Sequence, residues 1–517
     1  MTNLARLLAS AGVIHLVLAL PAAPMPVAEA LLRIAPELPL VLLALSCGGR
    51  VGRVAIVAAL WVLAIQKIAD LAMMAAFGRV FNVMVDLPLV TAGLRLVAGS
   101  VGIGGLALGL AVTAIAAGAG AWLLWWAGGV WSRWRGRTGG RMGLAALAAL
   151  SLAAAGLEQG WAGNGPYVLA RIELVRKTAR DLRQTRLLAA QDGFAQATGL
   201  LVDIDRDVLV IFVESYGRAS FDVPFHAGMH GNTLRAAERA LAGAGLAMRS
   251  GFLTAPTQGG QSWLSHATFA NGLWIADGAR HGAVLASGRQ GLFHHARRAG
   301  FRTAAVMPAI TLPWPEGEKM GFDRILAAAD LGYRGLPFNW VTMPDQFTLA
   351  AADRLLRPSN APPYLFAQVA LVSSHAPWVP VPRLLPWDRV GDGSVFDPMA
   401  LSGDPPEVVW RDRDRVRRAY REAIGYSLET VMDYARLHAA DPPLMIVLGD
   451  HGAAPWVAMG GGADVPIHLI GPAPLVERAA GWGLAPGLIP PPGQQAIPMD
   501  RMRDLILRGF GGHGPRP

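Results

Sequence analysis

A chain of 517 residues is too long for one ordinary domain, and its 53% apolar and 16% charged residues depart from the roughly 25% charge of soluble proteins. The net charge of +9 does not mark a nucleic-acid binder, because no Lys/Arg stripe with interleaved aromatics follows residue 160. The only cysteine, Cys47, lies in an apolar run, which excludes a disulfide framework, a thiol nucleophile and Cys-ligated zinc in the charged half.

Residues 1–160 carry almost no acids and hold five apolar stretches, 5–22, 35–49, 53–75, 103–128 and 142–158. Each approaches the about 20 residues a helix needs to cross a bilayer. Pro36 and Pro39 interrupt the second, which Arg33 and Glu37 flank. The first, with Arg6 and a short apolar core, also has the pattern of a cleaved signal. Further spans follow it, so an uncleaved helix is expected.

Basic residues collect on the cytoplasmic side of membrane proteins. Arg133, Arg135, Arg137 and Arg141 therefore lie inside, and counting back places Arg50, Arg53 and Arg6 inside too. Everything after residue 160 is then outside, on the external or periplasmic face of the cytoplasmic membrane. The segment 77–99 is external as well, and apolar enough to lie on or dip into the membrane surface. Lys67 and Asp70 fall three apart in the third span with no polar answer in the others, which favours an anchor over a transporter.

Residues 161–200 have helical spacing with many charges and read as a connecting helix, dividing the chain into 1–160, 161–200 and 201–517. Beyond it, the runs 207–215, 302–309, 364–374, 444–450 and 465–472 read as buried strands, separated by helices such as 232–245, 290–299 and 411–438. That alternation predicts an α/β fold with a mostly parallel sheet. Function in such sheets gathers at the carboxyl ends of strands. Three runs end in groups able to bind metal or move protons: Glu214-Ser215-Tyr216, Ser373-Ser374-His375 and Asp450-His451. Carboxylates with imidazole suit zinc or manganese.

In "TQGGQSWLSHATFANGLW" (257–274), glycines precede Ser262 and helical spacing follows it. A serine at a helix start faces orphan N–H groups that favour an anion, and is equally a preferred N-cap. Thr257 and Ser265 are competing hydroxyls. His294 and His295 read as solvated helix residues, while His226, His230 and His266 stay unassigned.

With Glu214, Ser262 and Asp450-His451 in that order, the chain resembles the alkaline phosphatase superfamily. It is most similar to the membrane-anchored branch: lipoteichoic acid synthases, lipid A phosphoethanolamine transferases and phosphoglycerol transferases acting on periplasmic glucans. Those proteins commonly join five N-terminal helices to an external sulfatase-like α/β domain. "VIFVESYGR" looks like the strand ending in a metal-binding glutamate, Glu214, and "VLGDHG" like the metal pair Asp450 and His451. "GGQSWLSHATF" is similar to the nucleophile segment, usually threonine, with Ser262 in that place. "LVSSHAPW" resembles the strand end whose histidine faces phosphate, here His375, and "LPWPEGEKMGFDRI" a pocket-lining stretch matched by Trp314.

The chain departs from the pattern at Pro315 and Glu316, where an arginine is common, and at Ala463 and Asp464, where a histidine is usual; Asp464 or His468 would have to compensate. A formylglycine sulfatase needs C/S-x-P-x-R, and Trp263 and Leu264 follow Ser262 instead. The resemblance implies a divalent metal, Zn2+ or Mn2+ with Mg2+ as a third option, held by Glu214, Ser262, Asp450 and His451. It implies transfer of a phospholipid head group, phosphoglycerol or phosphoethanolamine, through Ser262 to an envelope glycan or lipid. The expected partners are thus a membrane phospholipid donor and that acceptor, with no nucleic acid and a monomeric chain. A phosphodiesterase or phosphatase of the same fold, or a sheet domain that only binds, are the other classes.

Overall fold

The computed structural model describes residues 3–21, 29, 35–77, 79–134, 138–157, 163–358 and 362–511. Arg33, Arg135 and Arg137 lie outside the described residues. The chain forms two compact units, Met1–Leu182 and Arg183–Pro517.

In the first unit the apolar stretches are helical: Asn3–Ala19, Leu38–Cys47, Gly49–Phe77, Leu87–Arg133 and Thr138–Leu157. Among the described residues, Gly49–Met74 and Gly102–Arg133 are long and apolar enough to cross a membrane, whereas Asn3–Ala19, Leu38–Cys47 and Gly140–Ser151 are shorter. Leu38–Cys47 is short for a local reason. Pro39 opens it, where a missing N–H costs nothing, and Gly49 at φ +58 follows its end. Ile14, Leu45, Leu60, Leu124 and Trp131 pack inside, while Val62, Ile65, Val112 and Ile115 stay exposed.

The structure adds detail to two of the sequence readings. The segment 77–99 is helical from Leu87, and Gly102 (φ 76) breaks that helix from the long one after it. Asp70 is answered, by Gln66 of its own helix at 3.3 Å and from beyond the spans. It accepts hydrogen bonds from the Phe81 amide (2.9 Å) and the Tyr167 hydroxyl, and pairs with Arg171 at 3.1 Å. Lys67 donates to the Leu18 and Leu20 carbonyls at 3.0 and 2.8 Å. A helix, Asn164–Ala190, carries Tyr167 and Arg171.

The second unit is a three-layer α/β domain. Its strands are β1 (Val208–Val213), β2 (Ala247–Thr254), β3 (Arg302–Met307), β4 (Arg324–Ala327), β5 (Leu365–Leu371), β6 (Leu444–Gly449) and β7 (Asp464–Gly471), then two short ones, β8 (Ala485–Pro486) and β9 (Ile497–Pro498). The order is β4-β3-β5-β1-β6-β7-β2-β8, with β9 on β2. Strands β4, β3, β5, β1 and β6 are mutually parallel; β7 runs antiparallel to β6 and β2, and β2 is antiparallel to β8 but parallel to β9.

Strand β1, "VLVIFV", has no polar side chain because both its faces are covered. Leu209, Ile211 and Val213 join one core with Leu234, Phe347 and Ile424 from helices Pro224–Gly243, Asp345–Leu356 and Arg413–Leu437. Val208, Val210 and Phe212 join the other with Phe269, Phe293 and Ile506 from Ser262–Asn271, Leu292–Arg298 and Met502–Gly509. His295 is not a solvated residue. It is 1% exposed and sits 3.1 Å from Arg503, which pairs with Asp192 at 2.6 and 2.7 Å.

Candidate functional site

Three adjacent parallel strands end level, with Leu371 of β5, Val213 of β1 and Gly449 of β6 in register. The next residues of β1 and β6 are Glu214 and the Asp450-His451 pair. One atom from each of the three lies within 4.8 Å of the others, and all three are buried. His451 Nε2 is 3.1 Å from Glu214 Oε1 and 3.9 Å from Asp450 Oδ1.

The backbone is bent to make this meeting possible. Ser215 takes a left-handed conformation (φ 59), which aims its N–H at Asp450 Oδ1 across 2.9 Å. Ser374, leaving β5, donates from its hydroxyl to the Glu214 carbonyl at 2.6 Å, and Tyr420 donates to the Ser215 carbonyl at 2.9 Å. Gly449 has no room for a side chain, since a Cβ there would lie 1.9 Å from the Tyr216 carbonyl oxygen. A Cβ on Gly217 would lie 2.7 Å from Gly452 Cα. The glycines around Asp450-His451 thus let two strand-end loops touch.

Ser262 arrives from the side. Gly259 (φ 75), Gly260 (φ 147) and Gln261 (φ 64) turn the chain, and Ser262 is the first residue of the helix rather than its cap. Its hydroxyl does not serve the helix backbone; it donates to Glu214 Oε2 at 2.9 Å and lies 3.3 Å from His451 Nε2. The Gly259 amide donates to the Gly452 carbonyl at 2.8 Å, fastening this loop to the Asp-His loop. Thr257 is occupied by the Gly260 carbonyl and Ser265 is buried. The Ser215 hydroxyl also donates to Glu214, at Oε1 across 3.2 Å, but it is buried, whereas Ser262 is partly open to solvent.

Burial opposes charge on all three groups, and their mutual fields decide the outcome. Burial and the facing Glu214 carboxylate push Asp450 well above the usual carboxylate range. Against its own burial, the His451 imidazole holds Glu214 far below that range. His451, despite burial, is raised to about 10 by Asp450 and Glu214. Two buried carboxylates, an imidazole nitrogen and a hydroxyl gathered together form a donor set that fits a divalent cation.

His375 is exposed at the rim, near enough that its positive form lowers Glu214 further. Trp314 is not brought to the cluster. Its ring packs on Phe322 (centroids 6.4 Å apart) and over Gly317. His468 does not compensate for the missing histidine: it pairs with Val447 inside the sheet, and its ring nitrogens meet Tyr216 and Ser250 at 3.1 and 2.7 Å. Asp464 is taken by Arg218 and Thr254. Ser215 and Ser374 stood among the strand-end groups of the sequence, but their part in holding the loop backbones did not show there, and Tyr420, inside a helix, gave no signal.

The family profile described as Sulfatase matches residues 206–464, a span holding every residue of the cluster. No curated protein matches the chain. Among solved structures, it is similar to a lipoteichoic acid synthase from Listeria monocytogenes at 12% identity, covering 56% of this chain and 71% of that one, TM-score 0.35. It is also similar to the C-terminal periplasmic domain of a phosphoethanolamine transferase from Campylobacter jejuni at 13% identity, with 59% and 89% coverage and TM-score 0.36. A phosphonate monoester hydrolase from Silicibacter pomeroyi matches at 14% identity, with 60% and 74% coverage and TM-score 0.35.

Proposed function

The chain belongs to the sulfatase family, and from that premise we propose a membrane-anchored, metal-dependent phosphotransferase of the alkaline phosphatase superfamily. It moves phosphoglycerol or phosphoethanolamine from a phospholipid to Ser262, and from there to an envelope glycan or lipid. The observation that carries this reading is the Ser262 hydroxyl, at the first turn of a helix and 2.9 Å from Glu214 in a buried carboxylate–imidazole cluster.

Glu214, Asp450, His451 and Ser262 would hold the cation, which when bound supplies Lewis-acid activation of a hydroxyl and of phosphoryl oxygens. Ser262 Oγ attacks phosphorus, forming one P–O bond while the bond to the diacylglycerol oxygen breaks. The hydroxyl proton already points at Glu214 Oε2, so it has an acceptor as the new bond forms. The N–H groups opening helix Ser262–Asn271 face the charge growing on the phosphoryl oxygens. His375 gives a proton to the departing alcohol from the rim. An acceptor hydroxyl then displaces Ser262 and regenerates the enzyme.

The first unit serves as a five-helix anchor in the cytoplasmic membrane, with the catalytic unit on the external side and the chain acting as a monomer. Two long apolar helices and a row of exposed aliphatic side chains support the anchor. A hydrolase passing the same intermediate to water is the second reading, favoured by the half-exposed position of Ser262. Incubation with head-group-labelled phosphatidylglycerol or phosphatidylethanolamine, with and without metal, tests both. Label trapped on Ser262 names the donor, and its release to water or to a glycan names the class.

A further inference from the structure

Two of the three strand ends at the site, those of β5 and β6, each lead to a tryptophan of one cluster: Trp378 is buried at its base and Trp456 is exposed. After β5 the chain runs through His375 to Trp378; after β6 it runs through His451 to Trp456. Trp378 stacks parallel on Trp410, with centroids 5.7 Å and planes 3° apart, and Trp456 meets Trp410 edge-on at 6.0 Å. Trp378 is tied to the site by its indole N–H, which donates to the Ser374 carbonyl at 2.8 Å, while the Ser374 hydroxyl holds the Glu214 carbonyl.

Trp410, held by its own N–H on the Pro377 carbonyl at 3.2 Å, walls an open groove of about 600 Å³. Asn339, Trp340, Pro377, Pro406 and Glu407 complete its lining. Trp340 is 67% exposed and Trp410 43%, a large apolar surface to leave in water.

We propose that this groove is the acceptor subsite and binds a neutral glycan; naming the ligand an acceptor rests on the transferase reading above. Flat indole faces match the C–H faces of pyranose rings, and a carboxylate with an amide at the wall can pair with sugar hydroxyls. The lining carries Glu407 and no Lys or Arg, so a phosphate finds no cationic partner in it, and Arg417, which holds the Trp456 carbonyl, is paired with Asp414. The covalent tie from Trp378 to His375 places a sugar lying on the platform next to the rim from which an acceptor hydroxyl would approach.

The test is binding by the full chain in nanodiscs of zwitterionic lipid, read by tryptophan fluorescence and calorimetry. The probes are hexasaccharides of β-linked glucose and of N-acetylglucosamine. Saturable binding is expected, weakened about tenfold by Trp410→Ala and by the more exposed Trp340→Ala, the scale of one lost aromatic contact. Ser262→Ala protein should bind as wild type does. The proposal is overturned if neither sugar binds, if both tryptophan variants bind normally, or if choline, ethanolamine or phosphatidylglycerol vesicles take the sugars' place. Sugar binding without lipid turnover would keep the groove and sink the transferase reading. Lipid turnover without sugar binding would do the reverse.

Discussion

The Ser262 hydroxyl donates to Glu214 Oε2 at 2.9 Å, joining a helix start to the end of the central strand. That bond makes Ser262 the nucleophile of the proposed reaction. Ser262→Ala should abolish covalent labelling by lipid and cut turnover by about 10³-fold or more. Ser262→Thr should keep labelling, because it retains a hydroxyl at the same place. Mass spectrometry of the trapped protein checks both; full metal-dependent turnover by Ser262→Ala would remove the mechanism.

A cation bound by Glu214, Asp450 and His451 stabilises the folded state only, by about 2.7 kcal/mol at a hundredfold excess over its Kd. Chelation should therefore lower the melting temperature as well as stop turnover, and Zn2+ or Mn2+ should restore both. Asp450→Asn should make melting insensitive to chelator. A chelator that changes neither melting nor rate would rule the metal out.

Gly449→Ala should be far more damaging than an ordinary strand substitution. Its Cβ would fall 1.9 Å from the Tyr216 carbonyl oxygen, backbone that cannot step aside without moving Ser215 and Asp450. Lowered melting together with at least tenfold weaker metal binding is expected; a wild-type metal affinity would show the loops to be independent.

The strands that emerged from the sequence are those buried on both faces, such as β1 and β6, where apolar runs are unbroken. Strand β2 escaped notice because Arg249 and Ser250 interrupt it; Arg249 reaches out to Glu477, and Ser250 is spent on His468. Strand β4 is four residues long, too short for a period to show. At the site, Glu214, Asp450 and His451 were legible as polar residues ending apolar runs. The left-handed turn at Ser215 and the tryptophan cluster were not, since Trp378, Trp410 and Trp456 share no spacing and meet only through the fold, as Trp340 joins Trp410 only in lining the groove.

Four buried histidines should make the protein less stable in mild acid. Burial holds His226, His230 and His295 down to about 4 and His468 to about 3, against an ordinary value of 6.5. Below pH 6.5 these imidazoles take up protons in the unfolded chain that the fold refuses, so their contribution is whole above 6.5 and is lost as pH drops through about 4. Asp450 and His451, which the fold raises, make a smaller opposite contribution. Melting curves from pH 7.5 to 4.5, all in excess chelator to remove metal release, should show this fall. A flat profile would mean that these imidazoles are charged in the fold.

Arg503 is fully buried and holds Asp192 with two short contacts from one nitrogen. Removing the cation alone strands a buried carboxylate, so Arg503→Ala should cost about 3–5 kcal/mol. Adding Asp192→Leu should recover part of that loss. Denaturant unfolding of the two variants checks the sign, and equal losses would show that packing rather than charge is at stake.

The position of β1 has a consequence for biogenesis. It is the first strand of its sheet to be synthesised, yet its two partners come only with residues 365–371 and 444–449. Until then an uncharged, wholly apolar segment has both edges open, which is the profile of an aggregation-prone strand. The centre of the sheet therefore cannot close until residue 449 has been made, and the ligand cluster at the end of β1 can form only after that.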